Sequence, residues 1–159
     1  MDVDRILSTF NRHGVEYLLI GGMNFLLRHG PTLTFDVDLW IHDTEENRRR
    51  CEQALAELEA QWGPDDESWG PVARLSAGWL SRQPVYCLTS PSGAIDIFRR
   101  VVGLPDWDRC YERAPLEKTA GGVAYRGLSD RDMLLSQEAL PEGERKNDRI
   151  AQLRRILGE

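Results

Sequence analysis

The chain has 159 residues, of which 41% are hydrophobic and 29% are charged. These values are typical of one folded domain and exclude a disordered or fibrous protein. The formal net charge of −6 at pH 7 argues against broad binding along nucleic-acid backbones, where many phosphates must be neutralised. No apolar stretch approaches the ~20 residues that cross a bilayer. The first residues also lack the pattern of a signal peptide, so we expect a cytoplasmic protein.

The first part of the chain alternates helical and extended patterns. A helix from Val3 ends at His13-Gly14, a strand covers 16–20, a short helix covers about 23–28, and a strand covers about 33–41. Gly21-Gly22 predicts a tight turn between the first strand and the short helix. Asp43 and Glu46 have the spacing of a capping box, which predicts a long helix behind them.

The second part begins with a segment that has no clear period, residues 63–82, which we expect to form a loop or lid. Beyond it the predicted elements are a hairpin of strands 84–88 and 93–98, a helix over about 106–113, a short edge strand over 123–125, a helix capped by Ser129 and Asp132, and a last helix over about 144–157.

Two aspartates one residue apart are the first sign of a functional site. Side chains alternate along a strand, so Asp36 and Asp38 point to the same face. Like charges at ~4 Å repel by roughly 4 kcal/mol at an effective dielectric of about 20, and a cation between them relieves this cost. Asp96 meets both carboxylates if its strand lies beside theirs. The three residues therefore predict a metal site, although the Asp36–Asp38 pair alone would also suit an exposed strand edge.

Several segments together resemble a known family. They are Tyr17-Leu18-Leu19-Ile20-Gly21-Gly22, Thr34-Phe35-Asp36-Val37-Asp38-Leu39, Ala94-Ile95-Asp96-Ile97-Phe98, Gly127-Leu128-Ser129 and Arg145-Lys146-Asn147-Asp148. In this order they resemble the polymerase β-type nucleotidyltransferase superfamily, and within it the small bacterial group that includes AbiEii-type toxins. Two positions depart from that pattern: Thr32 and Gln137 stand where relatives often carry a basic residue.

The resemblance implies an α/β (α+β) nucleotidyltransferase fold with a small mixed sheet and helices packed chiefly on one face. It implies one domain over residues 1–159, with the C-terminal helices from about 129 packed on the core and the site at one sheet edge under the 63–82 loop. The implied catalytic and metal residues, for two Mg²⁺ or Mn²⁺ ions, are Asp36, Asp38 and Asp96. The implied nucleotide-binding residues are Gly21, Gly22, Thr34, Arg145 and Lys146, with Arg149 as another basic residue of the last helix.

The implied reaction transfers a nucleoside monophosphate from an NTP such as ATP to an acceptor hydroxyl. A protein, the 3′ end of a transfer RNA and a small molecule all fit as acceptor, and a toxin–antitoxin partner fits the AbiEii resemblance. Two other functions stay open. One is a binding or regulatory protein whose catalysis has decayed, suggested by Thr32 and Gln137, and the other is a metal-dependent phosphohydrolase. Trp69 and Trp79 either stack on a substrate ring or pack under a loop.

Overall fold

The computed structural model describes residues 1–159 and contains six α-helices and eight β-strands. In chain order they are α1 (Val3–Arg12), β1 (Tyr17–Ile20), α2 (Gly21–His29), β2 (Asp36–Ile41), α3 (Glu45–Glu57), β3 (Gln61–Trp62), β4 (Gly70–Pro71), β5 (Val85–Leu88), β6 (Ala94–Phe98), α4 (Trp107–Arg113), β7 (Leu116–Lys118), β8 (Ala124–Arg126), α5 (Asp130–Glu138) and α6 (Asn147–Ile156). None of the helices is both long and apolar enough to span a membrane.

A four-stranded mixed sheet with the strand order β1-β2-β6-β5 is the centre of the fold. β2 pairs with β1 in antiparallel and with β6 in parallel orientation, and β5 pairs with β6 in antiparallel orientation. This arrangement confirms the predicted fold class and the predicted hairpin. The parallel pairing of β2 with β6 matters most for the site, because it brings together two sequence segments that lie far apart in the chain.

Both faces of the sheet are covered. The larger core lies on the face of Val37, Leu39 and Ile41, where α1 and α3 pack. A smaller core lies on the opposite face, where Leu18 and Trp40 contact apolar residues of α4, α5 and α6. The expectation of helices chiefly on one face understated this second layer. Asp36 and Asp38 share the face of Trp40, since side chains alternate along β2, and they are only partly buried.

Helix α3 begins one residue later than the sequence pattern predicts. Thr44 is its N-cap, and the Thr44 hydroxyl accepts a hydrogen bond from the backbone N–H of Asn47 at 3.2 Å. The predicted capping box of Asp43 and Glu46 is therefore wrong. Asp43 instead forms ion pairs with Arg48 at 2.6 Å and with Arg99 at 3.0 Å.

The segment over residues 63–82 packs on α3 and is not a lid. Trp79 and Leu80 are buried in the larger core, and Trp79 stacks on Trp62 with ring centroids 5.9 Å apart. The carboxylate of Glu52 in α3 accepts hydrogen bonds from the backbone N–H groups of Gly78 at 2.9 Å and Leu80 at 3.0 Å. The prediction that this segment covers the site is wrong, because its apolar residues are drawn into the core instead.

Candidate active site

Three aspartates from the two central strands of the sheet form a cluster. In the parallel pair of β2 and β6, Asp38 lies opposite Asp96 and Asp36 lies opposite Ala94. Carboxylate oxygens of Asp36, Asp38 and Asp96 all lie within 4.8 Å of one another. The sequence predicts that Asp96 joins the cluster if its strand lies beside that of Asp36 and Asp38. The pairing of β2 with β6 meets this condition. The cluster lies on the face of two central strands and not at an edge of the sheet.

The three carboxylates perturb one another strongly. Burial, together with the charge of Asp36, raises the pKa of Asp38 to about 6. Burial, followed by hydrogen bonding to Asp36 and the charge of Asp38, raises the pKa of Asp96 to about 8. Both values lie well above the ordinary value of about 3.9 for aspartate. The cluster therefore holds more negative charge than its surroundings stabilise, and a cation is the group that relieves it.

The donor set fits a divalent cation of the Mg²⁺ or Mn²⁺ type. All the available ligand atoms are carboxylate oxygens, which such hard cations prefer. Asp38 Oδ1 is buried and has no hydrogen-bond partner. A buried carboxylate oxygen without a partner is costly, so this atom is suited to a ligand. Asp36, Asp38 and Asp96 are the residues that could hold the metal.

Gly21 and Gly22 begin α2 immediately beside the carboxylates. Gly21 has φ +69°, and a Cβ at this position would overlap the carboxylate of Asp38. A Cβ at Gly22 would lie 2.8 Å from Thr34 Oγ1 and 3.0 Å from Arg149 Nη2. Only glycine therefore allows the chain to pass this close. No side chain caps the start of α2, so its first backbone N–H groups are free for an anion.

A cleft of about 480 Å³ opens over the start of α2 and the carboxylates. Its lining residues come from the start of α2, the 32–38 segment and the start of α6: Gly22, Thr32, Leu33, Thr34, Phe35, Asp36, Asp38, Lys146, Asp148 and Arg149. Five of the predicted site residues line it: Gly22, Thr34, Asp36, Asp38 and Lys146. Arg145 does not, since its guanidinium donates hydrogen bonds to the carbonyls of Glu138 and Leu140, each at 2.9 Å.

Arg149 is the basic residue that the structure places deepest in the cleft. Only 8% of its surface is exposed, it forms no ion pair, and its Nε has no hydrogen-bond partner. Its Nη2 donates to Thr32 Oγ1 at 3.5 Å. Burial lowers the pKa of Arg149, and the charge of Asp38 opposes that shift. The helical spacing of α6 suggested Arg149 only as one of several basic residues, and burial of this side chain distinguishes it from the others.

The two positions that depart from the family pattern have defined contacts. Thr32 accepts the hydrogen bond from Arg149, so a guanidinium from α6 reaches the position where relatives often carry a basic residue. Gln137 Oε1 accepts a hydrogen bond from the backbone N–H of Lys146 at 2.8 Å. The cleft therefore keeps two basic side chains, Lys146 and Arg149, despite both replacements.

The fold is similar to solved structures, whereas no family model and no curated protein matches the sequence. The antibiotic-resistance factor ANT(2″)-Ia matches in a solution structure, with TM-score 0.58, 14% identity, and 98% of this chain and 82% of that chain covered. Its crystal structure in complex with adenylyl-2″-tobramycin matches with TM-score 0.59, 16% identity, and 98% and 87% covered.

A Thermotoga maritima protein proposed to be a nucleotidyltransferase matches with TM-score 0.52, 15% identity, and 98% and 90% covered. At such low identity these similarities establish the fold. The chain thus has the nucleotidyltransferase fold, as the sequence motifs predict. The narrower AbiEii-like grouping stays a prediction.

Proposed function

We propose that this protein is a metal-dependent nucleotidyltransferase that moves a nucleoside monophosphate from an NTP to an acceptor hydroxyl. The observation that carries the proposal is the convergence of Asp36, Asp38 and Asp96 beside an uncapped helix start at Gly21-Gly22. A hard-cation site next to an anion site is the pairing that an NTP with its metal requires. The nucleotidyltransferase fold of the chain agrees with this reading.

The triphosphate occupies the cleft over α2 in this proposal. The backbone N–H groups at the start of α2 donate to phosphate oxygens, where the helix dipole also favours negative charge. Lys146 and Arg149 supply two cationic side chains from the opposite wall, and the Thr34 hydroxyl supplies a further donor. Arg149 takes the role that the family resemblance implied for Arg145, because the Arg145 guanidinium donates its hydrogen bonds to the carbonyls of Glu138 and Leu140.

Asp36, Asp38 and Asp96 would hold the divalent cations, Mg²⁺ or Mn²⁺. When bound, these cations would neutralise charge on the transferring phosphoryl group and make the acceptor hydroxyl more acidic. The carboxylates on the rigid central strands fix the positions of the reacting groups, which is the main contribution that a protein makes to phosphoryl transfer.

The reaction is an in-line displacement at the α-phosphorus. The acceptor oxygen forms a bond to the α-phosphorus, and the bond from that phosphorus to the oxygen bridging to the β-phosphorus breaks, so pyrophosphate leaves. The Asp96 carboxylate orients the acceptor hydroxyl, takes its proton and passes it to solvent. Lys146 and Arg149 neutralise the charge that builds up on the pyrophosphate.

The test is label transfer with purified protein. Each NTP, labelled at the α-phosphate, is incubated with Mg²⁺ or Mn²⁺ in clarified cell extract, and labelled protein, RNA and small molecules are resolved. We expect transfer and pyrophosphate release with the wild type and neither with Asp36→Asn. Asp66→Asn changes an exposed aspartate outside the cleft and should behave as the wild type. Equal transfer by wild type and Asp36→Asn would refute the proposal.

The remaining alternatives give different results in the same assay. A metal-dependent phosphohydrolase releases inorganic phosphate and no pyrophosphate. Membership of a toxin–antitoxin pair, which the AbiEii resemblance implies, requires growth arrest on expression that Asp36→Asn abolishes. A decayed binding protein would keep its cellular effect in Asp36→Asn. We favour the enzyme, because Arg149 provides a buried cation despite the replacement at Thr32.

A further inference from the structure

A second cavity lies outside the nucleotide cleft and is larger than it. Its volume is about 720 Å³, compared with about 480 Å³ for the cleft. It is bounded by the ends of β2 and β6, the start of β5, the 99–106 loop and the start of α4, and its lining includes Trp40, Val85, Arg100, Val102 and Asp108. A cavity of this size is typical of sites for small molecules, which span about 300–1,000 Å³.

This cavity continues the sheet face that carries the aspartates. Asp38 and Trp40 point to the same face of β2, as Asp96 and Phe98 do along β6, because side chains alternate. Val85 of β5, which lines the cavity, lies opposite Phe98. Two residues along a strand correspond to about 6.7 Å, so the wall formed by Trp40 begins one such step beyond Asp38. The nucleotide cleft contains Asp36 and Asp38 and the large cavity contains Trp40. The large cavity therefore lies beyond Asp38 along β2, at the end away from Asp36.

This position suits the acceptor of the proposed reaction. In an in-line displacement the attacking oxygen and the leaving pyrophosphate lie on opposite sides of the phosphorus. The leaving group lies toward Gly22 and Arg149, which line the cleft at the Asp36 end. The attacking hydroxyl then arrives from the Trp40 end, past Asp96, and the large cavity is the space available there for the rest of the acceptor.

The lining argues against an RNA end as the occupant. The charge of Arg99 is neutralised by Asp43, with two hydrogen bonds at 3.0 and 3.1 Å. The rim carboxylates Asp106 and Asp108 lie 3.7 Å from Arg109 and 3.6 Å from His42, so Arg100 is the lining arginine without an ion pair. A single unpaired arginine provides little of the phosphate neutralisation on which RNA binding depends.

The lining also favours a small molecule over a protein segment. A protein partner needs about 800 Å² of surface on each side of an interface, whereas this space is concave and set between a loop and a helix start. Its lining combines apolar side chains, those of Val85, Val101, Val102 and Leu104, with charged ones. Such a mixture complements a compact molecule that has both apolar and hydrogen-bonding faces.

We propose that this cavity binds the acceptor and that the acceptor is a small hydroxylated molecule, an inference that rests on the proposed nucleotidyltransferase function. The hydroxyl that reacts lies beside Asp96, and the body of the molecule lies between Val85 of β5 and Val102 of the 99–106 loop. Val102 is a specificity-determining residue in this arrangement, since its side chain stands at the rim and is 64% exposed.

The experiment uses the full chain and cell extract as the source of acceptors. The extract is divided by ultrafiltration into a low-mass filtrate and a macromolecular retentate, and each is incubated with NTP labelled at the α-phosphate and Mg²⁺. Val102→Trp partly fills the cavity from its rim without entering the core. Leu116→Trp is the matched control, because Leu116 is 63% exposed and does not line this cavity. Binding of a non-transferable NTP analogue with Mg²⁺ is measured for each protein by calorimetry.

We expect the wild type and Leu116→Trp to label a molecule in the filtrate. Val102→Trp should transfer about tenfold less label to it, or less still, and binding of the NTP analogue should be the same in all three proteins. Label found only in RNA or protein of the retentate would overturn the assignment of the acceptor class and leave the proposed function standing. Undiminished labelling of the filtrate by Val102→Trp would overturn the assignment of the cavity. Absence of transfer to either fraction by the wild type would overturn the proposed function and this inference with it.

Discussion

Asp38 on β2 and Asp96 on β6 lie directly opposite each other in adjacent parallel strands. Like charges at directly opposite positions destabilise a sheet, and here a third carboxylate, that of Asp36, lies in the same cluster. The metal-free protein therefore carries unfavourable electrostatic free energy at its centre. Binding of a cation turns this repulsion into affinity.

Neutralising one aspartate should stabilise the metal-free protein while it abolishes activity. For Asp38→Asn in EDTA at about pH 8, we expect a higher unfolding midpoint temperature than for the wild type, because repulsion within the cluster is removed. Nucleotidyl transfer should fall by about 10² or more, since a metal ligand is lost. Calorimetric unfolding and the transfer assay check this. Asp66→Asn should change neither quantity, and a lower midpoint for Asp38→Asn would contradict the electrostatic account.

The stability of the metal-free protein should depend on pH in a defined window. The pKa values of Asp38, about 6, and Asp96, about 8, exceed the ordinary value of about 3.9. Between about pH 4 and pH 8 the folded state thus binds more protons than the unfolded state. The free energy of unfolding therefore falls as the pH rises through this range.

Urea unfolding in EDTA at several pH values measures this decline. The decline should be shallower in Asp96→Asn, which has lost the group with the higher pKa, and Mg²⁺ should restore most stability at the alkaline end. The pH dependence of Asp96→Asn accounts for the other titrating groups. If, relative to that variant, the free energy of unfolding of the wild type rises with pH through this window, the prediction is contradicted.

Arg149 should contribute more to triphosphate binding than any exposed arginine of α6. We expect Arg149→Lys to weaken binding of an NTP analogue by about tenfold, because lysine lacks the planar fork of donors that fits phosphate. Arg154→Lys is the control, since Arg154 is exposed and pairs with Glu138 at 3.2 Å. Calorimetric titration measures both, and equal affinities for the two variants would refute a role for Arg149.

Gly22→Ala should impair both folding and nucleotide binding. Its Cβ would lie 2.8 Å from Thr34 Oγ1 and 2.9 Å from Thr34 Cβ, so the 32–36 segment must move away from α2. We expect a loss of about 1–3 kcal/mol of stability from this overpacking and weaker binding of the NTP analogue. Gly143→Ala adds a Cβ that meets nothing within 4 Å and should leave both unchanged. Full NTP affinity in Gly22→Ala would show that close approach of the backbone is not needed.

Cys87 should report on the charge of the aspartate cluster. It lies opposite Asp96 across the β5–β6 pair and is exposed, whereas Cys51 and Cys110 are buried. Burial, followed by the charge of Asp96, raises the pKa of Cys87, so little reactive thiolate is present at neutral pH. Alkylation by iodoacetamide should therefore be faster in Asp96→Asn than in the wild type, with no rapid labelling in Cys87→Ser. An unchanged rate in Asp96→Asn would contradict this coupling.

The sequence by itself determined the local elements and the candidate metal ligands. Alternation along a strand places Asp36 and Asp38 on one face whatever the rest of the fold does, and Ser129 caps α5 as predicted, accepting a hydrogen bond from the backbone N–H of Asp132 at 3.2 Å. These features depend on a few neighbouring residues, so short patterns suffice to predict them. The family resemblance added the fold, and the structural similarities support it.

Only the tertiary structure decided which distant groups meet. The pairing of β2 with β6 brings Asp96 to Asp38. Packing of α6 places Arg149 in the cleft, whereas Arg145 donates hydrogen bonds to the carbonyls of Glu138 and Leu140. The position of the irregular 63–82 segment also depends on tertiary packing, because burial of Trp79 and Leu80 in the larger core places it against α3. Such outcomes depend on the free energy of burying surfaces that are remote in sequence, and no local pattern encodes that quantity.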